Sequence, residues 1–327
     1  TSGELSRREG GKIFGSGSRT PIAITFLVKN PAKPAGKATI YYRDIGDYLS
    51  REEKLVIVNR YGSLSAPDMQ WQVLQPNDHG DWLNQRTDLF DVFFLLGEKT
   101  GSTPVLFQKY SAGVITNRES WVYNFSRIQL NLQVQNMIDF YNVEVERYRN
   151  ALTVHPNLDV KRFVSTEDTK IKWDQGLMED ASRLRRIELN ESNLRVGLYR
   201  PYFKQHLYFD KYLNWSRYQL PAIFPIPRSE NLLICVSGTG GNKDFSTIIT
   251  NCIPDRQMQF NGQCFPLYYY EEQAKQSPSL FDAGDDTEYV RRDGITDFIL
   301  ERARRQYGKT VTKEDIFYYV YGFLHSP

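Results

Sequence analysis

Leu130, Val134, Met137, Ile138, Tyr141, Val145 and Tyr148 recur at spacings of three and four residues. Such spacing puts all seven on one face of a helix and predicts an amphipathic helix over 128–150. A helix of that length needs a broad apolar surface to cover it, so the chain around it must supply a core. The C-terminal half has another pattern. From 196 to 270 the apolar residues fall in short runs at 207–209, 232–236, 246–250 and 265–270, broken by Pro and Gly, as strands do. A long helix beside many short strands predicts a mixed α/β (α+β) fold.

Caps and stripes predict more helices. Asp174 is placed to cap a helix carrying Leu177, Ala181 and Leu184, which closes on Arg183, Arg185 and Arg186; basic residues suit a helix C-terminus. Ile295, Phe298, Ile299 and Ala303 form a stripe ended by Gly308, and Thr312 caps a last helix with Ile316, Tyr319, Val320 and Phe323 facing inward. The C-terminal helical part spans about 294–327.

The N-terminal stretch reads differently. Residues 22–28 form a continuous, β-branched apolar run, as expected of a buried strand. A Pro- and Gly-containing loop at 31–36 links it to a second strand at 38–42, which predicts a β-hairpin at a sheet edge. Ser50 and Glu53 form a capping box that starts a helix over 51–60, ending near Gly62. Residues 63–90 are rich in Pro, Asn, Asp and Gly, which places a domain boundary after 62 and gives domains 1–62 and 63–327. Strands are expected at 90–96 and 104–109, and the polar stretch 273–293 reads as a linker.

Charge and composition narrow the function. Lys and Arg total 41 against 39 Asp and Glu, a net charge of +2, so nucleic-acid binding would need local basic patches. Tyr (21) and Phe (19) are plentiful, and aromatic rings suit surfaces that are half apolar. Cys235, Cys252 and Cys264 show no CxxC spacing, which suggests reduced thiols and a cytoplasmic protein. The apolar run near 92–96 is too short to cross a bilayer, and no signal peptide is visible. His79, His155, His206 and His325 are scattered, which argues against zinc. The Gly-rich stretches 15–18 and 237–243 read as tight turns, because neither has the strand–loop–helix context or the ending of a phosphate loop. Asp44, Asp47, Glu52 and Glu53 are explained by the helix start more readily than by a catalytic carboxylate pair.

Two segments carry binding chemistry. Residues 112–126 join a glycine, the polar tip Thr116, Asn117, Arg118 and Glu119, and the rings of Trp121 and Tyr123. Arg118 has the fork that matches guanine O6 and N7, and Asn117 could pair with adenine N6 and N7. On a strand, Trp121 and Tyr123 would share one face, where core packing is the favoured role. From 183 to 218, Arg183, Arg185, Arg186, Arg200, Lys204 and Arg217 are interleaved with aromatics that include Tyr199, Tyr202, Phe203 and Trp215. Such a surface can neutralise phosphates while its rings stack. For the aromatics alone, a core role with solvated charges around it reads at least as well. Arg200 stands out because Pro201 restricts its backbone.

Residues 10–20, 22–30, 44–55, 113–126, 198–210, 262–267 and 319–327 resemble, in order, the C-terminal region of type ISP restriction-modification enzymes. These are bacterial single polypeptides that join nuclease, helicase-like translocase, adenine-N6 methyltransferase and target-recognition domains. The resemblance implies that residues 1–62 are the end of the methyltransferase domain, with edge strands of its sheet. It implies that residues 63–327 are a DNA target-recognition domain. Phe14 occupies the place of the aromatic that stacks on the flipped adenine, a base that must leave the duplex to be methylated. The family's methyl-donor glycine motif and its Asn-Pro-Pro-Tyr motif do not occur in this chain, so it is expected to contain no catalytic residue. It is read as a piece of a longer polypeptide, inactive alone and binding no cofactor by itself. S-adenosylmethionine, ATP and Mg are expected for the parent enzyme. Expected partners are double-stranded DNA and the parent's methyltransferase and translocase domains, with the protein monomeric. Two alternatives stay open: a stand-alone enzyme using the carboxylates near 44–53, and a coupling module that docks other domains.

Overall fold

The structure is a computed structural model, which describes residues 13, 22–32, 36–83, 85, 92–99, 101, 103–238, 244–274 and 287–326. Phe14 and the 15–18 turn lie outside the described residues, as does 239–243 of the second Gly-rich turn. Contacts divide the chain into two units, Thr1–Phe93 and Phe94–Pro327.

The first unit holds β1 (Ile40–Tyr42), α1 (Arg51–Tyr61) and β2 (Gln72–Leu74). The capping box forms as its chemistry requires. Ser50 Oγ accepts from the Glu53 N–H at 3.2 Å, and Glu53 Oε2 accepts from the Ser50 N–H at 2.7 Å. Gly62 ends the helix at φ 59°, a left-handed conformation that costs glycine nothing. The expected hairpin does not form. Residues 22–30 are exposed and outside any strand, with Leu27 91% exposed, and β1 pairs instead with β2, Ile40 opposite Leu74. That pairing draws 72–74 back towards 40–42 within the first unit.

The second unit contains, in order, β3 (Ser111–Ala112), α2 (Glu119–Val122), β4 (Tyr123–Asn124), α3 (Arg127–Leu152), α4 (Val160–Phe163), α5 (Gln175–Ser182), β5 (Leu194–Arg200) and β6 (Phe203–Tyr208). Next come α6 (Leu220–Ile223), β7 (Leu233–Val236), β8 (Thr247–Thr250), β9 (Ile253–Pro254), β10 (Gln263–Pro266), β11 (Tyr268–Ala274), β12 (Thr287–Asp293), α7 (Asp297–Tyr307) and α8 (Lys313–Phe323). The mixed α/β architecture is as expected. One four-stranded sheet runs β4-β6-β5-β9, another β3-β10-β7-β8, and β11 and β12 pair as a long ribbon. That ribbon corrects the linker expectation, since 268–274 and 287–293 pair residue for residue. Of the strands expected at 90–96 and 104–109, the described part forms only isolated bridges, Leu95 to Val105 and Phe107 to Ile295.

α3 organises the larger core. Leu130, Val134, Met137, Ile138, Tyr141, Val145 and Tyr148 are all buried on one face, against residues of β5, β6 and α5. Each fully buried aliphatic side chain there contributes about 1.5–3 kcal/mol. Polar bonds fix what passes over the helix. Asn142 accepts from the Ile187 N–H at 3.0 Å and donates to its carbonyl at 2.8 Å, and the Tyr141 hydroxyl donates to the Arg185 carbonyl at 2.9 Å. A second cluster gathers Phe107, Ile234, Phe265, Ile295, Phe317 and Val320 under α7 and α8.

Candidate nucleic-acid interface

The tip of the 112–126 segment is built by close approach. Gly113 runs so near Asp255 and Arg256 that a Cβ would sit 2.6 Å from their backbone, and Val114 and Ile115 then bridge to Asp255 and Ser216. The chain turns at Asn117, exposed at φ 56°, a region asparagine tolerates better than most residues. Thr116 and Arg118 on either side are buried, Arg118 at 2% exposure.

This overturns the base-reading role expected for Arg118, and with it an exposed role for Thr116. Arg118 Nε donates to the Lys172 carbonyl at 3.1 Å and Nη1 to the Leu213 carbonyl at 2.8 Å, while Nη2 lies 2.6 Å from Asp174 Oδ2. Asp174 also caps α5, accepting from the Leu177 N–H at 2.8 Å. Burial pulls the Arg118 pKa down and the Asp174 charge pulls against it. The fork therefore ties three connections together and has no face left for DNA. Trp121 and Tyr123 do not share a strand. Trp121 lies on α2 and Tyr123 on β4, and both pack into the core, the role favoured from sequence.

The expected helix ends at Ser182, and Leu184 lies beyond it at φ 56°. The 183–186 arginines follow it and are met by carboxylates: Arg183 by Glu179 (3.9 Å), Arg185 by Asp180 (2.6 Å) and Arg186 by Glu146 (2.9 Å). Their positive charge is partly cancelled on the surface. Arg217 is half-buried, stacked 5.2 Å from the Phe209 ring, and its pKa is lowered by burial. The neighbouring Arg195 is pushed down to about 10, by burial first and then by Arg217.

The β5–β6 hairpin is different. Arg200 stands opposite Phe203 at its end, with Pro201 and Tyr202 as the two-residue loop. Arg200 lies 4.0 Å over the Tyr199 ring and 3.2 Å from Asp255 Oδ1. Asp255 is buried, and burial raises its pKa against the pull of the Gln257 N–H and Arg200. Tyr123 donates to the same carboxylate at 3.4 Å. Lys204 donates to the uncharged Asn251 side chain at 3.2 Å and is exposed. Beside these charges the Phe203 ring meets Phe125 edge-on at 5.1 Å, and Tyr202, Phe203 and Phe125 are all exposed. The arrangement can place positive charge on a phosphate and an aromatic face against a base. Sequence marks Arg200, Lys204 and Phe203, whereas it does not reveal Phe125 and Asp255, whose partners are distant in the chain. A groove of about 580 Å³ near Lys109, Tyr218, Tyr270 and Tyr289 also carries Glu271 and Glu272, which suit a phosphate poorly. Among the described residues no cluster of His, Cys, Asp and Glu could hold a metal ion. No described helix is long and apolar enough to cross a membrane.

Comparison with known proteins gives the family. Residues 105–327 match the model of the Type ISP C-terminal specificity domain. Among solved structures, the whole chain aligns with a nuclease-deletion mutant of the Type ISP restriction-modification enzyme LlaGI in complex with a DNA substrate mimic. The identity is 34% and the TM-score 0.73, over 28% of that protein. The ATP-dependent Type ISP enzyme LlaBIII bound to DNA aligns over 89% of this chain and 18% of its own, at 30% identity and TM-score 0.69. A DrdV–DNA complex aligns over 88% and 27%, at 28% identity and TM-score 0.68. The chain thus spans well under a third of each of these structures. No curated protein sequence matches it. The chain belongs to the Type ISP restriction-modification family, and its residues 105–327 are the family's C-terminal specificity domain.

Proposed function

We propose that this chain recognises the DNA target of an enzyme that methylates adenine N6 and restricts unmodified DNA. The observation that carries the reading is the exposed combination of Arg200, Lys204, Phe203 and Phe125 within a specificity domain whose solved relatives hold DNA. Arg200 and Lys204 neutralise phosphates, and Asn117 is presented for a base edge. Arg183, Arg185, Arg186 and Arg217 add further contacts; like Arg200, the first three share their charge with a carboxylate, and Arg217 is half-buried. Residues 1–62 end the methyltransferase domain, Phe14 belongs to its flipped-base pocket, and 63–327 form the recognition domain. The catalytic groups, with the sites for S-adenosylmethionine, ATP and Mg, belong to the methyltransferase and translocase domains of the parent polypeptide. That polypeptide acts as a cytoplasmic bacterial monomer.

A coupling role accompanies recognition in the first unit. Ile24, Phe26, Leu27 and Val28 are exposed side by side, an apolar edge suited to burial against the methyltransferase domain.

The test is duplex binding by the full-length protein, read by fluorescence anisotropy as salt is raised. Affinity should fall steeply with salt, and Arg200→Ala with Lys204→Ala should flatten the log–log slope by about 0.9 for each phosphate no longer neutralised. Lys204→Ala alone should melt like the wild type, whereas Arg200→Ala, which leaves buried Asp255 without its ion-pair partner, should melt lower but still cooperatively. Salt-independent binding, or an unchanged slope, would remove the hairpin from the interface.

A further inference from the structure

The loop of the β5–β6 hairpin breaks a local rule. Tyr202 sits at φ 63°, the left-handed region, in the turn position after proline that glycine or asparagine normally fills. It gains no packing in return, being 90% exposed, more than any other Tyr, Phe or Trp among the described residues. A strained backbone carrying a fully solvated ring is poor design for folding and is a feature of sites that meet a ligand. The turn is nevertheless held firmly. Arg200 is fastened to Asp255 and stacked on Tyr199, Phe203 packs on Phe125, and Lys204 bonds Asn251.

We propose that Tyr202 is a wedge that inserts from the hairpin tip into duplex DNA and stacks on a base, unstacking one base step. This rests on the DNA-recognition reading above and goes beyond it by assigning the residue that deforms the duplex. Charge and shape both select this occupant. Arg200 and Lys204 flank the ring within the same hairpin, where they meet the phosphates on either side of the opened step. The flat, apolar Tyr202 ring with its polar tip matches a base face and edge. Deforming a step makes its sequence matter without a base-edge hydrogen bond, because pyrimidine–purine steps open most easily. The hairpin thereby contributes specificity through deformability.

The experiment uses the full-length protein and duplexes carrying 2-aminopurine at successive positions across the target. Wild-type protein should raise the fluorescence at one step, and Tyr202→Phe should preserve that rise. Tyr202→Gly relieves the backbone strain, so its melting temperature should equal or exceed that of the wild type. Its affinity should fall about tenfold, within the range for loss of one base–aromatic stack, with the fluorescence rise abolished. If Tyr202→Gly keeps both affinity and fluorescence while Arg200→Ala weakens binding, the wedge is overturned and the recognition reading survives. The ring then serves another surface, such as a docked protein. If the wild type itself shows no salt-dependent binding, both fall.

Discussion

Two turns of the second unit invite comparison, the tip around Arg118 and the tip around Arg200. Each carries an arginine beside aromatic residues, and each has a neighbour at positive φ, Asn117 at 56° and Tyr202 at 63°. One arginine is enclosed by two carbonyls and a carboxylate, and the other rests on the surface against Tyr199 and Asp255. The same side chain is a staple in the first and a candidate DNA contact in the second. Arginine chemistry therefore identifies what can be bound, while burial decides which partner is met, protein or DNA.

The largest effect should follow removal of the staple. Arg118→Ala leaves Asp174 and two buried carbonyls without their partner, and such a loss costs roughly 3–5 kcal/mol. Chemical denaturation should register it as a lowered midpoint, and an unchanged midpoint would erase the contrast between the two tips. The neighbouring Asn117→Ala should separate the two roles within one loop. Alanine at φ 56° should cost about 1–2 kcal/mol of stability, less than the loss of Arg118, while discrimination at one A·T pair falls by about 1–3 kcal/mol in competition binding.

Asp255 offers a smaller, pH-dependent comparison. Burial raises its pKa above the ordinary 3.8, so the folded state holds that proton more tightly than the unfolded chain. Its stabilising contribution is full below about pH 3.8 and is lost as pH rises through the raised value. Asp255→Asn should remove this component, so wild type and variant should converge or cross on a pH series of denaturation midpoints. The smallest effect belongs to the cap of α8. Asp315 is held below 3.8 by the Thr312 hydroxyl and N–H, so its contribution is present above pH 3.8 and fades as pH falls through the lowered value. Asp315→Asn should lower thermal stability slightly at pH 7, with the difference vanishing in acid.

Much of the fold is legible from sequence where the cause is local. The α3 face, the Ser50–Glu53 box, the Thr312 cap and the Asp174 cap each depend on residues within a few positions of one another. The candidate site is legible in part, because Arg200, Lys204 and Phe203 share one short hairpin. Arg118 reads wrongly from sequence because its carbonyl partners lie 54 and 95 residues away. The strand expected at 22–28 fails for a related reason: an apolar run states a need for cover without naming what covers it. Phe125 gives no sequence signal because its contact with Phe203 exists only once β4 pairs with β6.

The sequence by itself determined the longer helices, their caps and the resemblance to a family, since periodicity and motif order are properties of the chain. Tertiary structure alone decided which arginine is buried and which ring is exposed. Burial arises when segments far apart in sequence exclude water together, and no local pattern records that meeting.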